Sequence, residues 1–138
     1  MSNLTIDSID APIARLIGFR PVSASGGRAT VELDTDLDRH ANPMGTVHGG
    51  VLCDVADAAM GIAYASTLED GESFTTVELK INFLRPVWQT RLTAEGHVVQ
   101  RGRTIGLVEC DVTDSEGRLV ARASSTCMTL RDGRAQGR

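Results

Sequence analysis

Apolar positions recur along this chain with two different periods, and the switches between them outline its elements. Over residues 27–35, Ala29, Val31 and Leu33 alternate with Thr30, Glu32 and Asp34. That is the two-residue repeat of a strand with one buried face. The repeat returns over 74–84, where Val77, Leu79, Ile81 and Phe83 oppose Thr76, Glu78, Lys80 and Asn82, and then over 91–100, 104–113 and 118–130. Arg101-Gly102 and Ser115-Glu116-Gly117 supply turns, and Pro86, which has no N–H to give a ladder, closes the 74–84 strand.

Residues 47–67, VHGGVLCDVADAAMGIAYAST, break this pattern. Leu52, Val55, Ala56, Ala59, Ile62, Ala63 and Ser66 trace one helical face, and Cys53, Met60, Gly61 and Tyr64 make much of the remainder apolar. Only Asp54 and Asp57 carry charge there. A surface helix shows a broad charged face, so this one is expected to be largely buried. Upstream, Ile6, Ile9, Ile13, Leu16 and Ile17 predict a short amphipathic helix over 5–17, divided by Pro12 and ended by Gly18. Residues 36–46 read as a polar loop, 1–130 as one domain, and 131–138, RDGRAQGR, as a disordered tail.

A strand, a long helix and four closely linked strands predict a two-layer α+β fold of about five antiparallel strands. The sheet's edges and second face then need cover. Val120, Met128 and Leu130 read as outward-facing. Association through a sheet edge answers both needs, so the protein is expected to work only as an oligomer.

Composition narrows the function. Aromatics make up 4% of the 138 residues, which leaves Val, Leu, Ile and Ala to fill the core. A net charge of -4 argues against a nucleic-acid partner. Cys53, Cys110 and Cys127 form no CxxC pair, and His40 and His48 lack a third ligand, so neither a disulfide framework nor a metal is expected. No apolar run approaches the length of a membrane span, and residues 1–10 carry no secretory pattern, which makes the cytoplasm the default location. Walker, dinucleotide and nucleophile-elbow motifs are lacking in the sequence.

Asp57 is the sharpest chemical signal. A carboxylate in an apolar setting is either hydrogen-bonded for structure or turned into a cleft for chemistry, and the spacing leaves both open. Asp54 reads as a surface residue near the helix start. His48-Gly49-Gly50 begins the same helix, where the first backbone N–H groups lack internal acceptors. Two glycines let a carbonyl oxygen approach them, or simply ease a tight entry. His48 orients the loop or packs at the cap. Asn42 reads first as the side chain of an Asx-turn and otherwise as an amide donor to a ligand. Thr76 reads as a strand residue with a surface hydroxyl. Arg85, Arg101 and Arg103, at strand ends, are candidates for phosphate binding or plain solvated charges.

The runs NPMGTVHGGVLCDVADAAMG, TTVELKINFLRP and VVQRGRTIGLVECDVTDSEGRLVARASST resemble the hotdog-fold acyl-CoA thioesterases of the phenylacetate-degradation, PaaI-like type, over residues 11–130. The resemblance implies a curved antiparallel sheet of five to six strands wrapped around a long central helix. It implies a homodimer or dimer of dimers with active sites between subunits, and hydrolysis of an acyl-CoA, for which the resemblance suggests aryl or arylacetyl groups while members of the family range across medium and long acyl chains. No cofactor is implied, since CoA is part of the substrate. Carried over, Asp57 is the base or nucleophile and the Gly49 N–H polarises the thioester. Asn42 positions the reacting groups, His48 supports the loop, and Thr76 places the attacking water. Asn42, His48 and Gly49 would come from one chain, Asp57 and Thr76 from the other; Arg85, Arg101 and Arg103 would meet the CoA phosphates. Two other activities fit the same fold: a non-catalytic acyl-CoA binding or sensing module, and an enoyl-CoA hydratase or dehydratase.

Overall fold

The structure, a computed structural model, describes residues 4–136. Six strands form, β1 (Arg20–Ser25), β2 (Arg28–Asp34), β3 (Ser73–Phe83), β4 (Arg91–Arg101), β5 (Ile105–Thr113) and β6 (Leu119–Leu130). Three helices accompany them, α1 (Pro12–Ile17), α2 (Leu37–His40) and α3 (Gly49–Ala65). The strands pair antiparallel in one sheet in the order β1-β2-β4-β5-β6-β3. β3 and β4 are consecutive in sequence yet not neighbours. The link between them crosses the start of α3, held by the Val47 N–H donating to Val87 O at 2.8 Å.

α3 lies along one face of the sheet. Val51, Leu52, Val55, Ala56, Ala59, Met60, Ala63 and Tyr64 are its buried residues, recurring at helical spacing. They meet the inward side chains of the strands, among them Val31, Leu33, Leu92, Val108, Val112 and Val120. Each such large side chain, fully buried, stabilises the fold by about 1.5–3 kcal/mol. The helix sits so close to β4 that a Cβ at Gly96 would fall 2.6 Å from Ala59 O. Tyr64 is fully buried with its hydroxyl satisfied by Thr129 Oγ1 at 2.6 Å.

Several details differ from the sequence expectation. β1 was not anticipated, because Pro21 and a bulge between Pro21 and Ser23 break its alternation and most of its residues are exposed. Val120 and Leu130 are core residues, not outward ones. Met60 and Tyr64 belong to the buried stripe of α3, not to its remainder. In β3, a bulge between Thr76 and Glu78 leaves Val77 without a cross-strand partner. The bulge shifts the alternation by one residue, so Thr76 shares the inner face with Leu79 and Ile81 instead of opposing them. Pro12 opens α1 at its first turn, after a short 3-10 turn at Ile6–Ser8, and Gly18 closes it with φ 99°. Asp132–Ala135 forms a 3-10 turn, and Arg131 Nε donates to Glu72 Oε2 at 2.7 Å. Residues 137–138 of the expected tail and residues 1–3 of the start lie outside the described residues.

Replacing Gly96 by Ala drives a methyl group into the α3 backbone, which has no freedom to retreat. We expect Gly96→Ala to lose about 1–3 kcal/mol of stability in urea unfolding. Gly133→Ala, with no atom near its added Cβ, should stay within about 0.5 kcal/mol.

Candidate active site

The start of α3 is built by side chains of the preceding loop. His40 is buried; its Nδ1 accepts from the Asp36 N–H at 2.9 Å and its Nε2 donates to Ile17 O at 2.8 Å. His40 O in turn accepts the His48 N–H at 2.7 Å. Asn42 Oδ1 accepts from the Met44 and Thr46 N–H groups, and its Nδ2 donates to Thr46 Oγ1 at 2.8 Å. Asn42 is thus the Asx-turn residue that folds the loop.

His48 is the N-cap of α3, with Nδ1 accepting the Gly50 N–H at 2.8 Å. That tautomer leaves Nε2–H as its donor. The Val51 N–H reaches His48 O at 3.0 Å. The Gly49 N–H is left with no acceptor among the described residues. Gly49 lines a cleft of about 380 Å³ together with Asn42, Phe83 and Arg85. A Cβ at Gly49 would come within 2.8 Å of the Phe83 ring, which is itself half-exposed.

Asp57 stands two turns further along the helix, on the stripe that the sheet does not cover. It is exposed in the single chain, the second of the two settings that its sequence leaves open. It faces a cavity of about 930 Å³, with Asp54 and Thr76 on the same lining. No hydrogen bond or ion pair reaches the Asp57 carboxyl from the described residues. Crowding by the cavity walls pushes its pKa up, and the nearby Asp54 charge pushes it further. The Asp54 carboxyl is raised by burial alone. Thr76 Oγ1 lies 3.9 Å from the sulfur of the fully buried Cys127, which anchors it against β6.

Within one chain these two groups of residues stay apart. Gly49 and Asp57 are eight residues along one helix, about 12 Å of rise. The arginines divide as well. Arg85 is exposed and lines the Gly49 cleft. Arg101 is engaged internally, 4.8 Å above the Tyr64 ring, with Nε donating to Thr67 Oγ1 at 2.9 Å and Glu72 paired at 3.9 Å. Arg103 is exposed and lines neither cavity. Among the described residues, no three His, Cys, Asp or Glu side chains gather to hold a metal. Sequence reading missed the walls supplied by Ile9, Ile13, Phe19 and Phe74; the apolar spacing of residues 5–17 was a signal for the two isoleucines alone.

The thioesterase superfamily model matches residues 44–121, more than half of the chain and the whole of α3. The chain belongs to the thioesterase superfamily. An esterase-named protein of Saccharolobus solfataricus is 34% identical over 119 residues, 86% of this chain and 84% of the relative. Human acyl-coenzyme A thioesterase 13 is 28% identical over 107 residues, 76% and 75% of the two chains. The conserved protein PA5202 of Pseudomonas aeruginosa superposes with a TM-score of 0.84 at 31% identity, covering 90% of this chain and 98% of its own. The E. coli PaaI protein of the phenylacetic acid degradation operon shares the fold, with a TM-score of 0.80 at 24% identity and coverage of 91% and 88%. This thioesterase therefore has the hotdog arrangement that its sequence resembles.

The two raised carboxyls make stability depend on pH. The folded thioesterase holds the Asp57 proton more tightly than the unfolded chain does. That contribution is complete below the ordinary value of 3.8 and is lost as pH rises through the raised value. Asp57→Asn should therefore be more stable than the parent near neutral pH. Solvent screening keeps the gain below about 1 kcal/mol. Urea unfolding across a pH series should show the gap closing as pH falls to the ordinary carboxylate range.

Proposed function

We propose that this thioesterase hydrolyses acyl-CoA at sites shared between two chains, with Asp57 of one chain acting opposite the Gly49 N–H of the other. The observation that carries the reading is the pair of unsatisfied groups: a carboxyl without a partner and a helix-start amide without an acceptor. The first suits removal of a proton from water, the second a developing oxyanion. Each must lie about 3 Å from one reacting carbonyl or its water, and a 12 Å helix separation forbids that within a chain.

The sheet offers the means to join them. β3 is an edge strand with one row of backbone groups unpaired. Val77, Phe83, Leu84 and Trp88, on it or just after it, are each more than half exposed. Two β3 strands pairing antiparallel about residues 79 and 80 would set Thr76 of one chain opposite Phe83 of the other. The Asp57 cavity, which includes Phe74 and Thr76, would then meet the Gly49 cleft, which includes Phe83. On this reading the protein is an obligate dimer, alone or as a dimer of dimers.

The chemistry is complete without a cofactor. Asp57 takes a proton from a water held by the Thr76 hydroxyl, and that water attacks the thioester carbon. Charge on the carbonyl oxygen is met by the Gly49 N–H. The C–S bond then breaks, the acid is released, and the CoA thiolate leaves with the proton. Asn42 and His48 hold the loop and cap that aim the amide, and Arg85 is placed for a CoA phosphate. The name of the human relative supports a CoA ester as substrate. The reading places the protein in the cytoplasm; among the described residues no helix is long and apolar enough to cross a membrane.

Release of free thiol from acyl-CoA tests the proposal. Asp57→Asn should cost at least about 100-fold in kcat. Gly49→Pro deletes the N–H at the first helical position; its Cβ also requires the half-exposed Phe83 ring to move, and it should cost about 100-fold or more. Co-expressed in equal amounts, the two inactive chains should recover about a quarter of wild-type activity, since mixed dimers keep one intact site. No recovery would place the whole site in one chain and sink the shared arrangement. Acyl-CoA binding without thiol release would leave a sensing module, and water addition to an enoyl-CoA a hydratase.

A further inference from the structure

His40 takes no part in the chemistry proposed for Asp57 and Gly49, yet it is buried with both ring nitrogens engaged. One tautomer serves both partners. The proton stands on Nε2, which donates to Ile17 O at 2.8 Å, and Nδ1 accepts from the Asp36 N–H at 2.9 Å. The two bonds differ in reach. Asp36 is the N-cap of α2, one turn before His40, and its carbonyl already accepts the His40 N–H at 2.7 Å. Ile17 is 23 residues away. It ends α1, where the last carbonyls find no partner inside the helix. Leu16 O beside it is met by Arg39 Nη2. Arg39 is long and exposed, so the short, buried His40 is the rigid half of this clasp.

Ile17 is a fixed point. Its side chain packs against the core, and the Gly18 N–H closes α1 on Ala14 O at 2.7 Å. A short run of bonds leads from there to the start of α3. Ile17 O holds the His40 ring, His40 O accepts the His48 N–H at 2.7 Å, and His48 caps the helix one residue before Gly49. Other bonds of the loop are local: Asn42 folds its own turn, and Ala41 bridges to Val47. The Val47 N–H ties the far end of the loop to Val87 O. The near end hangs on His40.

We infer that His40 is a positioning residue for the oxyanion donor: its bond to Ile17 O holds the loop and the His48 cap where the Gly49 N–H meets the thioester oxygen. The inference rests on the reading of Gly49 as that donor. Such a donor acts at about 3 Å from the oxygen, and a misplacement of about 1 Å costs up to about 100-fold. Charge on the oxygen grows on the way to the transition state. The loss therefore falls on kcat and leaves KM nearly unchanged.

Two substitutions separate the ring's bonds. Asparagine carries its amide at the distance of Nδ1 from the backbone, and glutamine at that of Nε2. His40→Gln keeps a donor for Ile17 O and gives up the Asp36 bond; His40→Asn does the reverse. Each loses one hydrogen bond, so both should lower the urea midpoint. Thiol release from acyl-CoA by the full-length protein should part them. His40→Gln should keep kcat within about threefold of wild type, while His40→Asn loses at least about tenfold with KM within about threefold. In Gly49→Pro, which has no N–H left to aim, adding His40→Asn should cost less than about twofold more. The Gly49 amide signal in NMR spectra should move in His40→Asn and keep its place in His40→Gln. Equal kcat in the two variants, or a His40→Asn loss carried undiminished into Gly49→Pro, overturns this inference alone. If His40→Asn does not fold, His40→Gln decides: a displaced Gly49 signal or a loss of at least about tenfold there overturns it. Full kcat in Gly49→Pro overturns the reading of Gly49 as well.

Discussion

The close seating of α3 on the sheet governs the rest of the molecule. At Ala59 and Gly96 helix and strand meet backbone to backbone, with no room for a Cβ between them. That contact sets the rotation of the helix about its own axis. The stripe containing Ala56, Ala59 and Ala63 is pressed into the sheet, and the stripe containing Asp57, Ala58 and Gly61 is turned away from it. It also sets the direction of the helix start, hence where the Gly49 N–H points. A rotation of one residue, about 100°, would swing Asp57 into the place of Ala56 against the sheet and leave Ala58 facing outward. The carboxylate is presented by packing of small residues elsewhere on the helix, not by any hydrogen bond of its own.

This explains which features the sequence made readable. Alternation located five strands, because each buries one face against α3. It could not show β1, whose proline and serines leave little to alternate. It also misplaced Thr76, because a bulge adds one residue without any compositional mark at Val77. The helix itself was plain from its length and lack of charge, but the side bearing Asp57 was not. Alanine and glycine line both the buried stripe and the open one, so hydrophobic period has no contrast with which to separate them. The sequence left Asp57 either hydrogen-bonded or turned into a cleft, and the isolated chain has it open to a cavity.

The loop and helix entry show a similar division. His48 and Asn42 were singled out by type and spacing, and the structure gives both to the backbone: one caps α3, the other folds the turn before it. Their hydrogen bonds account for the donors and acceptors around Gly49 and leave its N–H unspent. Arg101 stood in the same class as Arg85 by sequence. Its stacking on Tyr64 and contacts with Thr67 and Glu72 could be seen only once three distant segments were brought together.

Two uncompensated carboxyls, Asp54 and Asp57, share one cavity in a chain that supplies cations to Asp34, Asp111 and Asp114. The chain therefore does pair acids where pairing helps the fold, and it omits the pairing on the open stripe of α3. Left without a cation, a crowded carboxyl stays nearer the pH at which it can both take and yield a proton. A cation beside Asp57 would have stabilised the fold and made the same group a weaker base. The loss of stability falls where the open stripe of α3 and the unpaired edge of β3 converge. That coincidence of unsatisfied charge and unpaired backbone at one side of the molecule is what the proposed reading, a site completed by a substrate and a second chain, requires.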